Sequence, residues 1–247
     1  MYNKKPEMII FDVGGTLFDD GKCVPEKGFS ALLSIAENPE ITTERELAGY
    51  WNEFFNEVSD GFKTKDGKKL ETPLSAVIKY ATMNAGLHIA LPISEQEELF
   101  DRFNSSRCVI DGVPELFKTL ENLDIRYGII SNNAMSGESL ALSIKHWLPS
   151  INPEFTLTSA DILFAKPYEK IFYTALKYAH LTPEDCWYCG DGRIPDVEGA
   201  KNAGITPVFL DVNSKIPLEF RTDGGRGAYL TINSWKVLKE FLEKDNH

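Results

Sequence analysis

Short, β-rich apolar runs alternate with longer amphipathic stretches along most of this chain, a pattern that predicts strand–helix–strand units and a parallel sheet. The runs at 8–11, 127–130, 155–157, 186–189, 206–210 and 229–232 read as strands. Helices are expected over 113–122, where Pro114 enters the first turn, and over 169–179, where Ile171, Phe172, Ala175, Leu176 and Ala179 share one stripe. Thr182, Pro183, Glu184 and Asp185 form a capped turn signal before the strand at 186. A last helix near 235–242 closes the sheet.

Between 21 and 107 strand signals vanish and amphipathic helical patterns replace them. Thr43 with Glu46 and Ser94 with Glu97 have capping-box spacing, while Trp51, Phe54, Phe55 and Val58 recur at helical intervals. That stripe reads as the core of a helical insert. The predicted organisation is an α/β domain, residues 1–20 and 108–247, interrupted by an all-helical domain, residues 21–107. The basic loop 63–69, KTKDGKK, reads as a solvated turn.

Size supports this division, because 247 residues at 43% hydrophobic supply one well-buried core and a smaller second unit. A net charge of −11 repels a phosphate backbone, which argues against nucleic acid as a partner while leaving room for a small anionic substrate held by local Lys and Arg. No apolar run reaches the roughly 18 residues of a membrane helix, and MYNKKPEMII carries no signal-peptide hydrophobic region. No membrane association is expected, and the expected location is the cytoplasm. The four cysteines, Cys23, Cys108, Cys186 and Cys189, are too scattered for a disulfide scaffold. Cys186 and Cys189 sit three apart in a strand, so they face opposite sides and form neither a redox pair nor a zinc half-site. His88, His146, His180 and His247 are isolated from one another.

Four separated segments carry the candidate chemistry. Asp12 ends an apolar strand and runs into Val13, Gly14, Gly15 and Thr16, which holds a carboxylate at the carboxyl edge of the sheet, where open α/β folds bind ligands. Asp191 and Asp196 follow another strand and could hold a divalent cation that offsets repulsion between Asp12 and an anionic substrate; magnesium suits such an all-oxygen site. Ser131 and Asn132 follow a third strand as donors to a phosphoryl oxygen, and Lys166, before Pro167 at a helix start, supplies a positive charge to the same group. Asn132 and Thr16 are the substrate-binding candidates.

In order and spacing, FDVGGTLFD, IISNN, the lysine of FAKPYEKIF and GDGRIPDVEGAKNAGI resemble the four motifs of the haloacid dehalogenase superfamily of hydrolases, in the branch with a helical cap inserted after the first motif. DGVPELFKTLENL and GAYLTINSWKVLKEFL resemble that branch too, so the resemblance spans nearly the whole chain. It implies a three-layer Rossmann-like core, a nucleophilic Asp12 that becomes an aspartyl-phosphate, and Mg²⁺ bound by Asp12, the Gly14 carbonyl, Asp191 and Asp196. Ser131 and Lys166 would hold the transferring group.

The departure is Gly14, where phosphatases and sugar-phosphate mutases of the superfamily usually carry a second Asp as acid and base. Its loss is worth about 10²–10⁴-fold when the leaving group is a poor one such as an alkoxide. Acyl and aryl phosphates suffer least. Asp19 and Asp20 are the nearest substitutes, and both read as turn carboxylates facing water. Two relatives also lack the acid: 2-haloacid dehalogenases, which displace halide without metal, and phosphonoacetaldehyde hydrolases, which use a cap lysine, for which Lys63, Lys65, Lys68 and Lys69 are available. Dehalogenases lose the GD pair that this chain keeps at Gly190 and Asp191. The expectation is therefore a Mg²⁺-dependent phosphatase of a small phosphorylated metabolite, with dehalogenase, phosphonate hydrolase or a catalytically impaired metabolite- or partner-binding protein as alternatives. Arg193 reads as a loop residue screening Asp191 and Asp196, Gly224, Gly225, Arg226 and Gly227 as a turn, and Arg107 as a hinge or cap residue.

Overall fold

The computed structural model describes residues 5–58, 63–67, 70–222 and 228–244. Lys68, Lys69, the glycine-rich turn at 224–227 and His247 lie outside them. The strands are β1 (Met8–Phe11), β2 (Phe18–Asp19), β3 (Cys108–Val109), β4 (Arg126–Ser131), β5 (Thr156–Thr158), β6 (Cys186–Gly190), β7 (Thr206–Leu210), β8 (Leu218–Thr222) and β9 (Ala228–Ile232). Seven of them form one sheet in the order β5-β4-β1-β6-β7-β9-β8, parallel except for the β8–β9 pair. The sheet grows from β1 through β4 to β5 on one side and through β6 and β7 on the other. That reversal opens a crevice at the carboxyl end of β1.

The helices are α1 (Pro25–Leu33), α2 (Glu44–Glu57), α3 (Leu74–Asn84), α4 (Ile93–Asn104), α5 (Val113–Asn122), α6 (Gly137–Trp147), α7 (Ser159–Ile162), α8 (Glu169–Ala179), α9 (Gly199–Asn202) and α10 (Trp235–Lys244). None of those described is long and apolar enough to cross a membrane. Alternation along β1 builds both faces of the core. Ile9 and Phe11 join Val113, Phe117 and Leu120 of α5 and Trp235 and Leu238 of α10, whereas Met8 and Ile10 join Ile171, Phe172 and Leu176 of α8 and Ala200 beside them. The result is the three-layer Rossmann-like core: helices cover both faces of a mostly parallel sheet, whose strands are therefore continuous apolar runs. Cys189 packs on the first face and Cys186 on the second, as their spacing requires.

Helices α1 to α4 follow β2 and precede β3, and these two-residue strands pair antiparallel where the chain leaves and re-enters the α/β part. Phe29, Leu32, Leu47, Leu74, Ile78 and Phe100 form the centre of this insert. Trp51 stacks on Phe100 at 5.2 Å and meets Phe29 edge-on at 6.1 Å, but Phe55, on the same predicted stripe, is exposed. Thr43 and Glu46 form the expected capping box. Ser94 and Glu97 do not.

The reason is that α4 begins one residue before Ser94, after Pro92, so Glu97 falls in the second turn and is fully buried. Its Oε2 accepts from Ser136 Oγ at 2.7 Å, from Ser136 N at 3.2 Å and from Ser139 Oγ. The carboxylate thus serves the amino end of α6, where a negative charge meets the positive end of the helix dipole. Helix α6 itself was not foreseen from periodicity, although Ser136 caps it by accepting from Ser139 N at 3.3 Å. Nor was β8, the antiparallel edge strand.

The two sulfur classes give a chemical check on the layering. Cys23 and Cys108 are exposed; Cys186 and Cys189 are fully buried. Burial, reinforced by the charge of Asp185, pushes the Cys186 thiol up to about 12, and burial with Asp196 raises Cys189 well above an ordinary thiol. Iodoacetamide at pH 8 followed by peptide mass spectrometry should modify Cys23 and Cys108 in the native protein and reach Cys186 and Cys189 only after denaturation. Rapid native labelling of either strand cysteine would contradict this arrangement.

Candidate active site

Strand β1 delivers Asp12 to the crevice: its backbone N–H donates to Cys189 O at 2.9 Å, which extends the β1–β6 ladder by one residue beyond Phe11. The chain then turns sharply, with Leu17 N donating to Val13 O at 2.8 Å. Gly15 adopts a φ of +68°, and a β-carbon there would come within 2.2 Å of Asp191 Oδ2, so only glycine lets the two loops meet. From the opposite end of the sequence, Trp235 Nε1 donates to Thr16 O at 2.8 Å and pins this turn to α10.

Lys166 stands at the centre. Its Nζ lies 2.7 Å from Asp12 Oδ1 and 2.7 Å from Asp196 Oδ1, and it donates to Tyr188 Oη at 2.8 Å. Tyr188 in turn donates to Ile130 O at 3.1 Å. Burial opposes the charge on Lys166, but the Asp12 and Asp196 carboxylates outweigh it and hold the amine above its ordinary pKa. The lysine is a resident cation. Asn132 places it, accepting from Lys166 N at 2.6 Å on Oδ1 and donating from Nδ2 to Lys166 O at 2.9 Å.

Asp191 and Asp196 leave the end of β6, Asp196 within the wide π-type turn Arg193–Glu198. Wide turns of this kind recur at functional sites. Gly192 N donates to Asp196 Oδ2 at 2.8 Å, and a β-carbon on Gly190 would strike the Asp196 carboxyl carbon at 2.4 Å. Thr16 is fully buried and its hydroxyl donates to Asp191 Oδ1 at 3.3 Å, so it reaches the site through that carboxylate. Ser131, at the end of β4, lines the same cleft of about 160 Å³ with Asp12, Asn132, Asp191 and Asp196. A larger cavity of about 640 Å³ adjoins it, sharing Asn132 and Lys166 and bounded also by Leu70, Glu71 and Tyr168. Arg193 donates to Tyr229 Oη at 3.4 Å.

One carboxylate oxygen from each of Asp12, Asp191 and Asp196 falls within 4.8 Å of the others. Within the triad and Lys166, three carboxylates face one ammonium. Burial raises the Asp12 carboxyl to about 6, against the pull of Lys166 and with a further push from Asp196. Burial and the Asp196 charge raise Asp191 as well, although it is the most exposed of the three. An all-oxygen set with two uncompensated charges fits a hard dication such as Mg²⁺.

The space beside Gly14 is occupied, contrary to the expectation that Asp19 and Asp20 both face water. Asp19 does so, accepting from Gly21 N at 3.2 Å in an exposed turn. Asp20 turns toward the cleft with its side chain 43% exposed. A β-carbon on residue 14 would lie 2.8 Å from Asp20 Oδ2, and Asp20 lines the same cleft as Asp12. Its other oxygen, Oδ1, accepts from Arg107 Nε at 2.7 Å. Arg107 is buried and also reaches Asp101 Oδ2 at 2.9 Å and Ser143 Oγ at 2.7 Å. Sequence reasoning left Arg107 undecided; the signal was that a buried arginine needs carboxylate partners, but nothing local named them.

Comparison with known proteins agrees with this picture. A glyceraldehyde 3-phosphate phosphatase of Pyrococcus furiosus is 34% identical over 83 residues, 33% of this chain and 33% of that protein. The human haloacid dehalogenase-like hydrolase domain-containing protein 3 is 29% identical over 141 residues, 52% of this chain and 53% of its own length. The matches thus span about one third and one half of these curated relatives. In fold, a 2-haloacid dehalogenase from Pseudomonas syringae superposes with a TM-score of 0.58 at 20% identity, over 96% of this chain and 98% of the other. The family description of haloacid dehalogenase-like hydrolases matches residues 9–210, and the chain belongs to that family.

Proposed function

We propose that the protein is a Mg²⁺-dependent phosphohydrolase of small phosphorylated metabolites, working through an aspartyl-phosphate at Asp12. The observation that carries this reading is the triad Asp12, Asp191 and Asp196 around one buried lysine. Displacement of halide from carbon leaves these extra carboxylates without a task, because an anionic haloacid gains nothing from two further negative charges beside the nucleophile. A phosphoryl group with a dication does. The Pyrococcus relative, named for a phosphatase of a phosphorylated triose, supports the substrate class.

Asp12, the Gly14 carbonyl, Asp191 and Asp196 would hold the metal, which when bound neutralises charge between nucleophile and phosphoryl oxygens. The chain's own groups do the rest. One Asp12 oxygen bonds to phosphorus as the bond to the leaving oxygen breaks, and Lys166 and Ser131 stabilise the transferring phosphoryl oxygens. Water then attacks phosphorus, the bond to Asp12 breaks, and inorganic phosphate and the free carboxylate are released. The helical insert, which we place at 21–107, covers the crevice as a cap and excludes bulk water while the ester bond is cleaved.

Two outcomes test this. With p-nitrophenyl phosphate, turnover should require Mg²⁺, stop on EDTA, and fall by about 10³-fold or more in Asp12→Asn; acid-quenched wild type should carry phosphate on the peptide containing Asp12. Halide release from haloacids without Mg²⁺ would replace the proposal with a dehalogenase. The second outcome concerns charge: Lys166→Met leaves Asp12 and Asp196 without their buried counter-ion, which destabilises by about 3–5 kcal/mol. Its Tm, followed by calorimetry, should fall in EDTA and rise more than that of the wild type on adding Mg²⁺. An equal or smaller rise would argue against a metal held by these carboxylates.

A further inference from the structure

We infer that Asp20, held by Arg107, takes the proton-transferring position that residue 14 leaves empty, and that the enzyme's substrates therefore include ordinary phosphate esters with alkoxide leaving groups. This rests on the phosphohydrolase reading above and narrows its substrate class. The geometry is specific to one oxygen. Oδ1 is taken by the Arg107 guanidinium, and Oδ2 is the atom that lies 2.8 Å from where a side chain at residue 14 would begin. A β-carbon on residue 14 would force Asp20 Oδ2 to shift, so Gly14 leaves room for a carboxylate arriving from the end of β2.

Asp20 is not needed merely to balance Arg107. The same guanidinium already contacts Asp101 at 2.9 Å, inside the junction between α4 and α6, and lies 5.5 Å above the ring of Phe18. Arginine fixed on three sides is a rigid mount, and its planar fork orients a carboxylate as an ammonium would not. Asp20 is half-buried and opens onto the cleft that holds Asp12, Ser131 and Lys166. We set this carboxylate against the leaving oxygen, across the cleft from Asp12.

The proton balance closes over the cycle. In the first half, the Asp20 carboxyl gives its proton to the departing ester oxygen as the bond from that oxygen to phosphorus breaks and the bond from Asp12 forms. In the second, the Asp20 carboxylate takes a proton from the attacking water, which bonds to phosphorus as the Asp12 ester breaks. The net change is ester plus water to alcohol plus inorganic phosphate, and Asp20 returns to its starting state. Gly14 is then no defect. On this reading the carboxylate comes from further along the chain and opens onto the same cleft.

The test is a leaving-group series, from nitrophenyl to simple alkyl phosphates, measured with Mg²⁺ at one pH. Asp20→Asn keeps shape and a bond to Arg107 but cannot pass a proton; kcat/KM, which reports the step in which the leaving group departs, should fall by about 10²–10⁴-fold on alkyl phosphates and by less than about tenfold on nitrophenyl phosphate. Equal losses across the series, or none, would overturn the inference, and nitrophenyl turnover shows that the variant is folded. As a second measurement, Gly14→Asp combined with Asp20→Ser restores a carboxylate at residue 14 and clears the space beside it. It should recover at least about tenfold of the alkyl ester rate lost in Asp20→Ser alone; no recovery in a protein still active on nitrophenyl phosphate would count against the shared position. Asp12→Asn separates the two claims, because activity surviving there refutes the aspartyl-phosphate reading whatever Asp20 does.

Discussion

A single buried ammonium organises the centre of this protein. Lys166 Nζ sits 2.7 Å from oxygens of both Asp12 and Asp196, which come from the ends of different strands, and none of the three groups has enough water to be stable alone. Buried charges are retained when each is paired and hydrogen-bonded. That condition fixes the relative heights of β1 and β6 and the path of the loop before α8. It also explains the small residues nearby: Gly15 and Gly190 are where carboxylates of neighbouring loops come within 2.2 and 2.4 Å of a would-be β-carbon. Pairing one lysine with three acids leaves the cluster short of positive charge, which is why its donor set fits a dication.

What could be read from the sequence follows from the range over which each signal acts. The alternation of Ile9 and Phe11 against Met8 and Ile10, and the stripe from Ile171 to Ala179, are local periodicities with a whole sheet face or helix face behind them, so β1 and α8 were legible. Helix α5 matched its expected span of 113–122 for the same reason. Strands β2 and β3 have two residues each, too few for any period. Edge strand β8 is only partly buried, because antiparallel pairing to β9 alone leaves one side open, and its pattern was correspondingly faint. The Ser94–Glu97 spacing misled because a capping box is one of two uses for a glutamate near a serine, and the competing partner, α6, lies some forty residues along the chain, a separation of 39 residues from Glu97 to Ser136.

The same argument covers the site. Asp12 and Asp191 were legible because each follows an apolar strand, β1 or β6, that sets it at the sheet edge, and Lys166 because it precedes Pro167 near a helix start. Asp20 was not, since its direction is set by Arg107, 87 residues away, and by the absence of a side chain on Gly14. Thr16 and Asn132 were expected against substrate, yet the structure gives each a defined protein partner: the Asp191 carboxylate for one, the backbone of Lys166 for the other. Each bond holds a charged residue in place, and Asn132 also lines the cleft. Such indirect roles leave no distinct mark in a sequence, where a hydrogen bond to substrate and a hydrogen bond to a neighbour call for the same residue type.

Arg107 links these levels. It lies at the end of the helical insert, just before β3, and its guanidinium touches Asp101 in α4, Ser143 in α6 and Asp20 at the mouth of the cleft. Burial raises the Asp101 carboxyl and the Arg107 charge opposes that rise, so the two groups depend on each other for solvation. On the other side of α6's amino end, Glu97 of α4 holds Ser136 and Ser139. Helix α4 is thus fastened to α6 by two buried polar contacts about one helical turn apart along its length, from Glu97 to Asp101. An insert tied down this way cannot swing about β2 and β3 as a free body without stripping partners from a buried glutamate and a buried arginine. In the proposed reaction, the carboxylate that passes the proton and the helix that anchors the insert share one cation, so the position of the insert and the orientation of Asp20 are set together.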